Sequence, residues 1–294
     1  QYQVAGSTAQ ISCSCYRLTQ PFGNQNGVVW NATLLDLSTS FDFSFSLFPG
    51  CVDAGADGLV FTLQPNSPAQ MGNGGGGIGY QGINPSLGIE LDTYENVWDP
   101  VNDHIAVIRN GNVDHTSPDN LAGPVDALPS SANVEDCTYH VLRIVWNATS
   151  STFTIYLDGN LRLTYTGNIV NTIFGGNPLV YWGFVASTGG SVNEHRVCTY
   201  SSADFTAPNN FEVCVGDPLS FTDLSQSDLN QINSWLWDFG DNTNSSTQNP
   251  IHTFTSAGTY PVQLTITDPA GCPQFIIHNV IVHPLPVLTI TPSQ

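Results

Sequence analysis

Residues 87–105 read LGIELDTYENVWDPVNDHI, and the interpretation of the whole chain starts from this segment. Side chains two positions apart on a β-strand point to the same face. One face would therefore carry two carboxylates, a phenol and an amide, while the other is mostly apolar. The polar set is Glu90, Asp92, Tyr94 and Asn96, and the opposite set is Ile89, Leu91 and Thr93. Two buried carboxylates side by side would repel each other, and a bound cation would remove that penalty.

The atoms in and after this segment are those that divalent ions bind. Hard cations such as Ca²⁺ take carboxylate, carbonyl and water oxygens at about 2.3–2.6 Å. Asp92 lies between Glu90 and Asn96 and could bridge two ions. Asp99 adds a carboxylate, and His104 adds an imidazole, which Ca²⁺ avoids and Mn²⁺ accepts. The same alternation also fits an ordinary edge strand with a solvated polar face.

The rest of the chain is patterned for β-structure. Apolar and polar residues alternate at 41–47, 142–146 and 152–157, which is typical of half-buried strands. A DGN turn at 158–160 leads to a returning apolar run at 161–165, which predicts a hairpin. The 27 glycines and 19 prolines interrupt the chain at short intervals, as sandwiches and barrels require. We therefore expect an all-β protein.

A change of texture near residues 201–210 divides the chain. Polar residues and a proline there separate two β-rich blocks. The first is large enough for a two-sheet sandwich and the second for a seven-stranded one. We expect domains at 1–205 and 206–288, and a linker at 289–294 toward possible further domains or a surface anchor.

The charge of the chain excludes several kinds of partner. There are 24 acidic residues against five basic ones, and the net charge is −19. Such a chain repels nucleic-acid phosphates and anionic lipids. No run of 18 apolar residues predicts a membrane span. We expect no nucleic-acid partner and no membrane insertion, and we consider divalent cations and neutral polymers such as polysaccharides the suitable partners.

The cysteines indicate an oxidising compartment. There are seven, with no C-x-x-C pair and no zinc-like spacing, so disulfides are the better interpretation. This favours a secreted or cell-surface protein. Because the count is odd, at least one thiol is free or pairs outside the chain. The order of the predicted strands suggests pairing Cys15 with Cys198 and Cys51 with Cys137.

The motif E-x-D-T-Y-x-N at 90–96, followed by D-P-x-x-x-H-I at 99–105, resembles the metal-binding signature of legume-type (L-type) lectins. The resemblance implies a concanavalin-like jelly roll and calcium-dependent, non-catalytic carbohydrate binding. It also implies two ions, a transition ion that is usually Mn²⁺, and Ca²⁺. The Mn²⁺ ligands would be Glu90, Asp92, Asp99 and His104; the Ca²⁺ ligands would be Asp92, the Tyr94 carbonyl, Asn96 and Asp99.

One departure from the family concerns the second aspartate of the motif. The stretch from Asn96 to Asp99 is about two residues shorter than in typical plant members. Asp103 is therefore kept as an alternative ligand to Asp99.

Three further segments resemble the same family, in the family's order. The ADG at 56–58 is similar to the strand whose aspartate accepts from two sugar hydroxyls after a cis peptide. The glycine run at 74–77 resembles a loop whose N–H meets the sugar, where glycine lets a saccharide approach the backbone. Residues 182–197 resemble the closing strands and the specificity loop. The implied saccharide-binding residues are Asp57, Gly76, Asn96, Gly189 and Gly190, with Tyr94 or Trp98 stacking on the ring.

The second block resembles a PKD domain, an immunoglobulin-like β-sandwich. SWLWDFGDNT at 234–243 contains the W-D-F-G-D core of that family. Such domains serve as spacers or as protein and polymer contacts. Asp238 and Asp241 could bind calcium or cap turns. Cys214 and Cys272 lie near the two ends of the domain, and we pair them.

Two alternatives remain open. Glu90, Asp92 and Glu95 also fit the motif of retaining jelly-roll glucanases, which need two carboxyl groups about 5–5.5 Å apart. A five-residue offset puts Glu90 and Glu95 on opposite faces of a regular strand, so this alternative requires a β-bulge. The other alternative is a structural adhesin or secretion-cargo segment that keeps the lectin fold without binding sugar.

Overall fold

The computed structural model describes residues 2–228, 232–268 and 271–286. The chain divides into two compact units, Gln1–Tyr200 and a second that begins at Ser201. The predicted linker at 289–294 lies outside the described residues. Within the described ranges, no helix is both long and apolar enough to cross a membrane.

The first unit is built almost entirely of strands. They are β1 (Tyr2–Gly6), β2 (Ala9–Gln10), β3 (Cys15–Thr19), β4 (Asn26–Asn31), β5 (Leu35–Asp36), β6 (Phe41–Phe48), β7 (Gly58–Gln64), β8 (Leu87–Asp92), β9 (His104–Arg109), β10 (Asn120–Asp126), β11 (His140–Asn147), β12 (Thr152–Leu157), β13 (Asn160–Thr166), β14 (Leu179–Ser187) and β15 (His195–Cys198). A 3₁₀ turn covers Gly75–Gly77, and a single helical turn, α1, covers Ile169–Thr172.

These strands form two facing sheets. One has the order β1-β4-β14-β7-β8-β9-β10, with β5 paired to β14, and the other has the order β13-β12-β11-β6-β15-β3-β2. The alternating phenylalanines of β6 explain how the sheets meet. The Phe45 ring lies 4.8 Å from the Phe184 ring of β14, and Phe43 lies 5.2 Å from Trp182. The sheets thus enclose one aromatic core, and the prediction of an all-β jelly roll is confirmed.

Strand β8, which carries the acidic motif, is central rather than at an edge. All six of its residues are buried between β7 and β9. Its register places Asp92 opposite Gly58 on one side and opposite His104 on the other. The edge-strand interpretation is therefore wrong, and the two carboxylates of β8 lie inside the protein.

Two disulfides lie in the first unit. Cys15 and Cys198 face each other across the antiparallel pair β3–β15 and are bonded. Cys51 is bonded to Cys137, which brings the chain before β7 next to the chain before β11. Both cross-links tie together segments that are far apart in sequence.

The second unit is a smaller β-sandwich. Its strands are β16 (Ser201–Ser202), β17 (Phe205–Thr206), β18 (Glu212–Cys214), β19 (Pro218–Ser220), β20 (Thr222–Asp223), β21 (Gln226–Ser227), β22 (Ser234–Asp238), β23 (Asn244–Ser245), β24 (Ile251–Thr253), β25 (Gly258–Thr267) and β26 (Pro273–His283), with a short turn, α2, at Pro208–Phe211. Its main sheet has the order β18-β26-β25-β22-β23. Trp237 is fully buried in its core and donates from Nε1 to the Thr247 carbonyl at 2.9 Å.

The predicted disulfide between Cys214 and Cys272 is wrong, since Cys214 is a free thiol. Cys214 ends β18, which runs parallel to β26 and places Cys214 opposite His283. Cys272 precedes the other end of that 11-residue strand. The two cysteines are therefore roughly 35 Å apart along an extended strand, whereas a disulfide needs Cα atoms about 4.4–6.8 Å apart.

Candidate metal and saccharide site

The first component of the site is a group of buried acids on β8. Glu90 and Asp92 point to the same face and are 0% and 2% exposed. Burial raises the pKa of Glu90 well above its usual range, and the charge of Asp99 raises it further. Burial does the same to the pKa of Asp92, with Glu90 as the next contributor. These carboxylates are expensive to keep ionised without a counter-charge.

Two imidazoles and a third carboxylate complete this group. His104 Nε2 and His115 Nε2 lie 2.8 Å apart. His115 Nε2 is 3.3 Å from Glu90 Oε2 and 3.4 Å from Asp99 Oδ1. Ligand atoms of Asp92, Asp99 and His104 also lie within 4.8 Å of one another. We call these five residues (Glu90, Asp92, Asp99, His104 and His115) the β8 cluster.

The β8 cluster fits a divalent cation. Neither oxygen of Glu90, nor Asp99 Oδ1, has a hydrogen-bond partner among the described residues, although all three atoms are buried. Unpaired buried carboxylate oxygens are costly unless a cation coordinates them. The donor set of carboxylates and imidazole nitrogens suits a transition ion at the histidine end.

His104 is oriented to offer a lone pair to the cluster. Its Nδ1 lies 3.3 Å from the Asn102 carbonyl. A proton on Nδ1 bonded to that carbonyl leaves Nε2 as the acceptor that faces the carboxylates. Burial lowers the pKa of His104 to about 4, so the imidazole is neutral near pH 7. A neutral imidazole is the form that binds metals.

The short loop after β8 still brings Asp99 into the cluster. The Asn96 N–H donates to Asp99 Oδ2 at 2.8 Å, and the Asp99 N–H donates to the Asn96 carbonyl at 3.1 Å. These two bonds close the turn, although it is about two residues shorter than in typical plant members of the family. The alternative ligand Asp103 lies elsewhere, because its Oδ2 accepts from the Val134 N–H at 2.6 Å.

The predicted calcium ligands lie next to one another. Asp92 Oδ1 accepts from the Tyr94 N–H at 2.8 Å. The Asn96 amide nitrogen donates to the Tyr94 carbonyl at 3.3 Å, so the amide lies beside that carbonyl. Asn96 Oδ1 is on the side of Gly76, where an added Cβ would approach it to 2.9 Å. Asn96 thus lies between the predicted calcium ligands and the glycine loop.

Asp57 immediately precedes β7, the strand that neighbours β8. The Ala56–Asp57 peptide is cis, and the Asp57 N–H donates to the Ser187 carbonyl at 3.0 Å. Asp57 is 3% exposed, and burial raises its pKa to about 7. Its Oδ2 has no hydrogen-bond partner among the described residues. This buried oxygen is an acceptor available to a hydroxyl.

The two glycine segments lie around Asp57 and Asn96. A Cβ on Gly189 would lie 3.6 Å from Asp57 Oδ2 and 3.4 Å from the Gly75 Cα. A Cβ on Gly190 would meet no atom within 4 Å. The predicted residues Asp57, Gly76, Asn96 and Gly189 are therefore brought together, with Gly190 at the open side.

The two candidate stacking rings differ in accessibility. Tyr94 is 40% exposed. Trp98 is half-buried and packs against the apolar cluster that contains Val60, Tyr80 and Ile108. Tyr94 is therefore the more exposed of the two rings, and stacking of either ring on a sugar stays a prediction.

The glucanase arrangement does not match this geometry. Strand β8 ends at Asp92, and its pairing with β9 runs without a bulge through Glu90. Glu95 lies beyond the strand in an exposed position and lines a cleft with Asp53 and Asp103. Glu90 instead belongs to the β8 cluster. The two carboxylates therefore lie in different environments and do not form the facing pair that the glucanase mechanism needs.

Sequence reasoning missed two parts of this region. His115 lies in the β9–β10 connection, outside the motif, and no spacing rule indicated it. Asn193 is 2% exposed and binds the segment that precedes Asp57. Its amide donates to the Val52 carbonyl at 2.9 Å and to Glu135 Oε1, while its Oδ1 accepts from the Cys51 N–H at 3.1 Å.

Comparisons with known proteins agree with this architecture. Residues 1–201 match the family model described as the legume lectin beta-barrel domain. Residues 203–282 match the PKD domain model. A putative bark agglutinin of Robinia pseudoacacia is 38% identical over 73 residues, which is 24% of this chain and 26% of the relative. The chain spans less than half the length of the curated relatives it matches.

Two solved structures share the fold. A lectin from Bauhinia forficata, solved in complex with GalNAc, has a TM-score of 0.54 at 18% identity and covers 67% of this chain and 88% of its own. The exoplasmic/lumenal domain of VIP36, solved in a Ca²⁺/Man3GlcNAc-bound form, has a TM-score of 0.52 at 21% identity and covers 67% of this chain and 82% of its own.

Proposed function

The chain belongs to the legume lectin family through residues 1–201 and carries a PKD domain at residues 203–282; from this premise we propose that it binds saccharides in a calcium-dependent manner. The partners would be glycans or polysaccharides outside the cell. The disulfides of the first unit support the extracellular location, because such bonds persist in oxidising compartments.

The observation that carries this proposal is the unpartnered oxygen of Asp57. It is buried, accepts no hydrogen bond within the described residues and lies beside Gly189. A buried acceptor of this kind requires a donor, and a sugar hydroxyl is a donor of suitable size. The Gly76 N–H and the Asn96 amide, on the neighbouring loops, would donate to the same sugar. The exposed ring of Tyr94 would cover its apolar face.

Metal ions would organise these groups. Asp92, the Tyr94 carbonyl, Asn96 and Asp99 would hold Ca²⁺. Glu90, Asp92, Asp99 and His104 would hold a transition ion such as Mn²⁺. The ions supply positive charge to the buried carboxylates. Asn96 would then present its oxygen to the calcium side and its amide nitrogen to the glycine loop, a rotation about the terminal side-chain bond.

A shallow polar site of this kind binds weakly as a single copy. Water competes for every hydroxyl contact, so useful affinity comes from several sites on one polymer or from tethering. The PKD domain would act as the spacer that presents the lectin domain. Further domains or a surface anchor downstream would supply the remaining valency.

The test is a glycan array probed with the two-domain protein. Binding should disappear in EDTA and return with CaCl₂. Asp57→Asn should abolish it, because the amide turns one acceptor into a donor, whereas Asp53→Asn, in a neighbouring exposed position, should leave it unchanged. Glycan binding that persists in EDTA would contradict the metal dependence. An empty array with intact metal binding would favour the structural adhesin instead.

A further inference from the structure

His115 is buried against the β8 cluster although it lies outside the sequence motif. Its side chain is 3% exposed. The segment that carries it is held by the Asn120 side chain, which donates to the His115 carbonyl at 3.3 Å. Its Nε2 is the atom that faces His104, Glu90 and Asp99.

From this placement we propose that His115 is a direct ligand of the transition ion, and that the resulting two-imidazole site selects zinc-class ions over manganese. The inference rests on the proposed metal-dependent function and specifies which ion occupies the histidine end. The ligand set implied by the family motif contains one imidazole, and this chain supplies a second.

The distances in the cluster fit a common ion. Ligands at about 2.0–2.2 Å from a metal lie about 3.0–3.5 Å from one another in tetrahedral or octahedral geometry. The separations from His115 Nε2 are 2.8 Å to His104, 3.3 Å to Glu90 and 3.4 Å to Asp99. The separation from His104 to Asp99 is 4.0 Å. His115 Nε2, His104 Nε2 and one Glu90 oxygen lie within 4.8 Å of one another, so these three atoms can border one position, with Asp99 Oδ1 beside it.

The two imidazoles also lack another adequate explanation. A direct bond between their Nε2 atoms would satisfy one proton, but it would leave Glu90 with two buried and unpartnered oxygens. A cation between the rings and the carboxylates satisfies Glu90, Asp99 and the Nε2 atoms of both rings at once.

The chemistry of the ligands sets the selectivity. Imidazole suits zinc, copper and nickel, whereas manganese and magnesium favour carboxylate, carbonyl and water oxygens. Affinity at a mixed nitrogen and oxygen site rises from Mn²⁺ through Co²⁺ and Ni²⁺, and Zn²⁺ also exceeds Mn²⁺. Replacing an oxygen ligand by a second imidazole widens that gap. Ca²⁺, which requires oxygen ligands, stays on the side of Asn96 and the Tyr94 carbonyl.

The experiment is calorimetric titration of the EDTA-stripped two-domain protein with ZnCl₂, MnCl₂ and CaCl₂, with bound metal counted by mass spectrometry. The wild-type protein should bind Zn²⁺ at least about tenfold more tightly than Mn²⁺. His115→Ala should weaken Zn²⁺ binding by at least about 10–100-fold, the loss that removing an outer-shell partner already causes. It should weaken Mn²⁺ binding much less and leave Ca²⁺ binding unchanged. The visible spectrum of a Co²⁺-loaded sample should change in the same variant, because one ligand is lost.

His283→Ala is the matched control, since His283 lies in the second unit, where its side chain pairs with Glu212. This substitution should not alter the Zn²⁺ affinity of the β8 cluster. Retained Ca²⁺ binding in His115→Ala shows that the variant is folded. Equal affinities for Zn²⁺ and Mn²⁺, or unchanged Zn²⁺ affinity in His115→Ala, would overturn the inference. Glycan binding is measured separately in CaCl₂ alone, so failure of the saccharide proposal would be visible as a different result.

Discussion

Each unit carries an acidic motif that begins in a strand and continues into the loop after it, but the carboxylates of the two motifs have different surroundings. In the first unit, Glu90 and Asp99 are buried and keep oxygens without partners. In the second, Asp241 accepts from the Thr243 N–H at 3.0 Å and from His252 Nε2 at 2.8 Å. Asp238 accepts from the Gly240 N–H at 2.9 Å. Acidic spacing alone does not identify a metal site; a buried oxygen that the chain leaves unpaired does.

The difference has a physical origin in the local backbone. Asp241 lies in a tight turn, where a short carboxylate side chain bonds an N–H two residues ahead. Such a group is satisfied by its neighbours in sequence and stays near solvent. Strand β8 instead runs through the centre of a sheet, where neighbouring N–H groups are used by the ladder. The Glu90 carboxylate, in the middle of the strand, can be compensated only by groups from other segments or by ions. Asp92, at the end of the strand, does accept from the Tyr94 N–H, but only with one of its two oxygens.

The largest expected effect tests this contrast directly. Asp92→Asn removes a charged ligand shared by both predicted ions. Ca²⁺ affinity should fall by at least about 100-fold, the upper end of the loss that removing an outer-shell partner causes, and glycan binding should be lost with it. Asp241→Asn is the counterpart in the second unit and should leave both properties unchanged. Isothermal titration and a glycan array measure the two. Calcium binding that depends on Asp241 would contradict the conclusion that only the unpaired carboxylates of the first unit bind ions.

A smaller effect should come from Asn193, a buried polar group whose partners all lie within the chain. Asn193→Ala removes its bonds to Val52, Cys51 and Glu135. We expect the unfolding free energy to fall by about 2 kcal/mol, by the same amount in calcium and in EDTA.

The counterpart in the second unit is Asn249, whose exposed Oδ1 accepts one bond from the Asp223 N–H. Asn249→Ala should cost about 1 kcal/mol or less. Denaturant unfolding curves give both values. A loss for Asn193→Ala that appears only in calcium would place this residue in the metal site rather than in the scaffold.

The smallest effect concerns the pH dependence that Glu135 creates. Burial raises its pKa to about 8, with the charge of Asp103 as the next cause. Its folded pKa exceeds the unfolded value, so the folded state binds the extra proton. Stability is therefore highest below about pH 4.5 for this group and is lost as pH rises toward 8, at no more than about 1.4 kcal/mol per pH unit.

The measurement is the unfolding free energy between pH 5 and 8 in EDTA, for the wild-type protein and Glu135→Gln. The variant should show a shallower decline, and the difference between the two curves isolates Glu135 from the acids of β8. Parallel curves would mean that Glu135 is already compensated by its surroundings. In that case Glu135 would belong with the carboxylates that the chain itself satisfies, such as Asp241.

Much of the fold and part of the site were predictable from local pattern. Alternation of side chains along a strand is a property of the backbone, so Glu90 and Asp92 had to share a face whatever the tertiary structure. The same reasoning made the chain all-β. The motif also named His104, whose place opposite Asp92 follows from simple antiparallel pairing of β8 and β9.

The sequence by itself determined which residues share a strand face, where turns interrupt the strands and which family the motifs resemble. Only the tertiary structure decided that β8 is central, that His115 joins the cluster, and that Cys214 lies far from Cys272. The reason is that strand periodicity depends on neighbouring residues. Sheet order and the meeting of loops depend on contacts between segments far apart in the chain, and no local spacing records them.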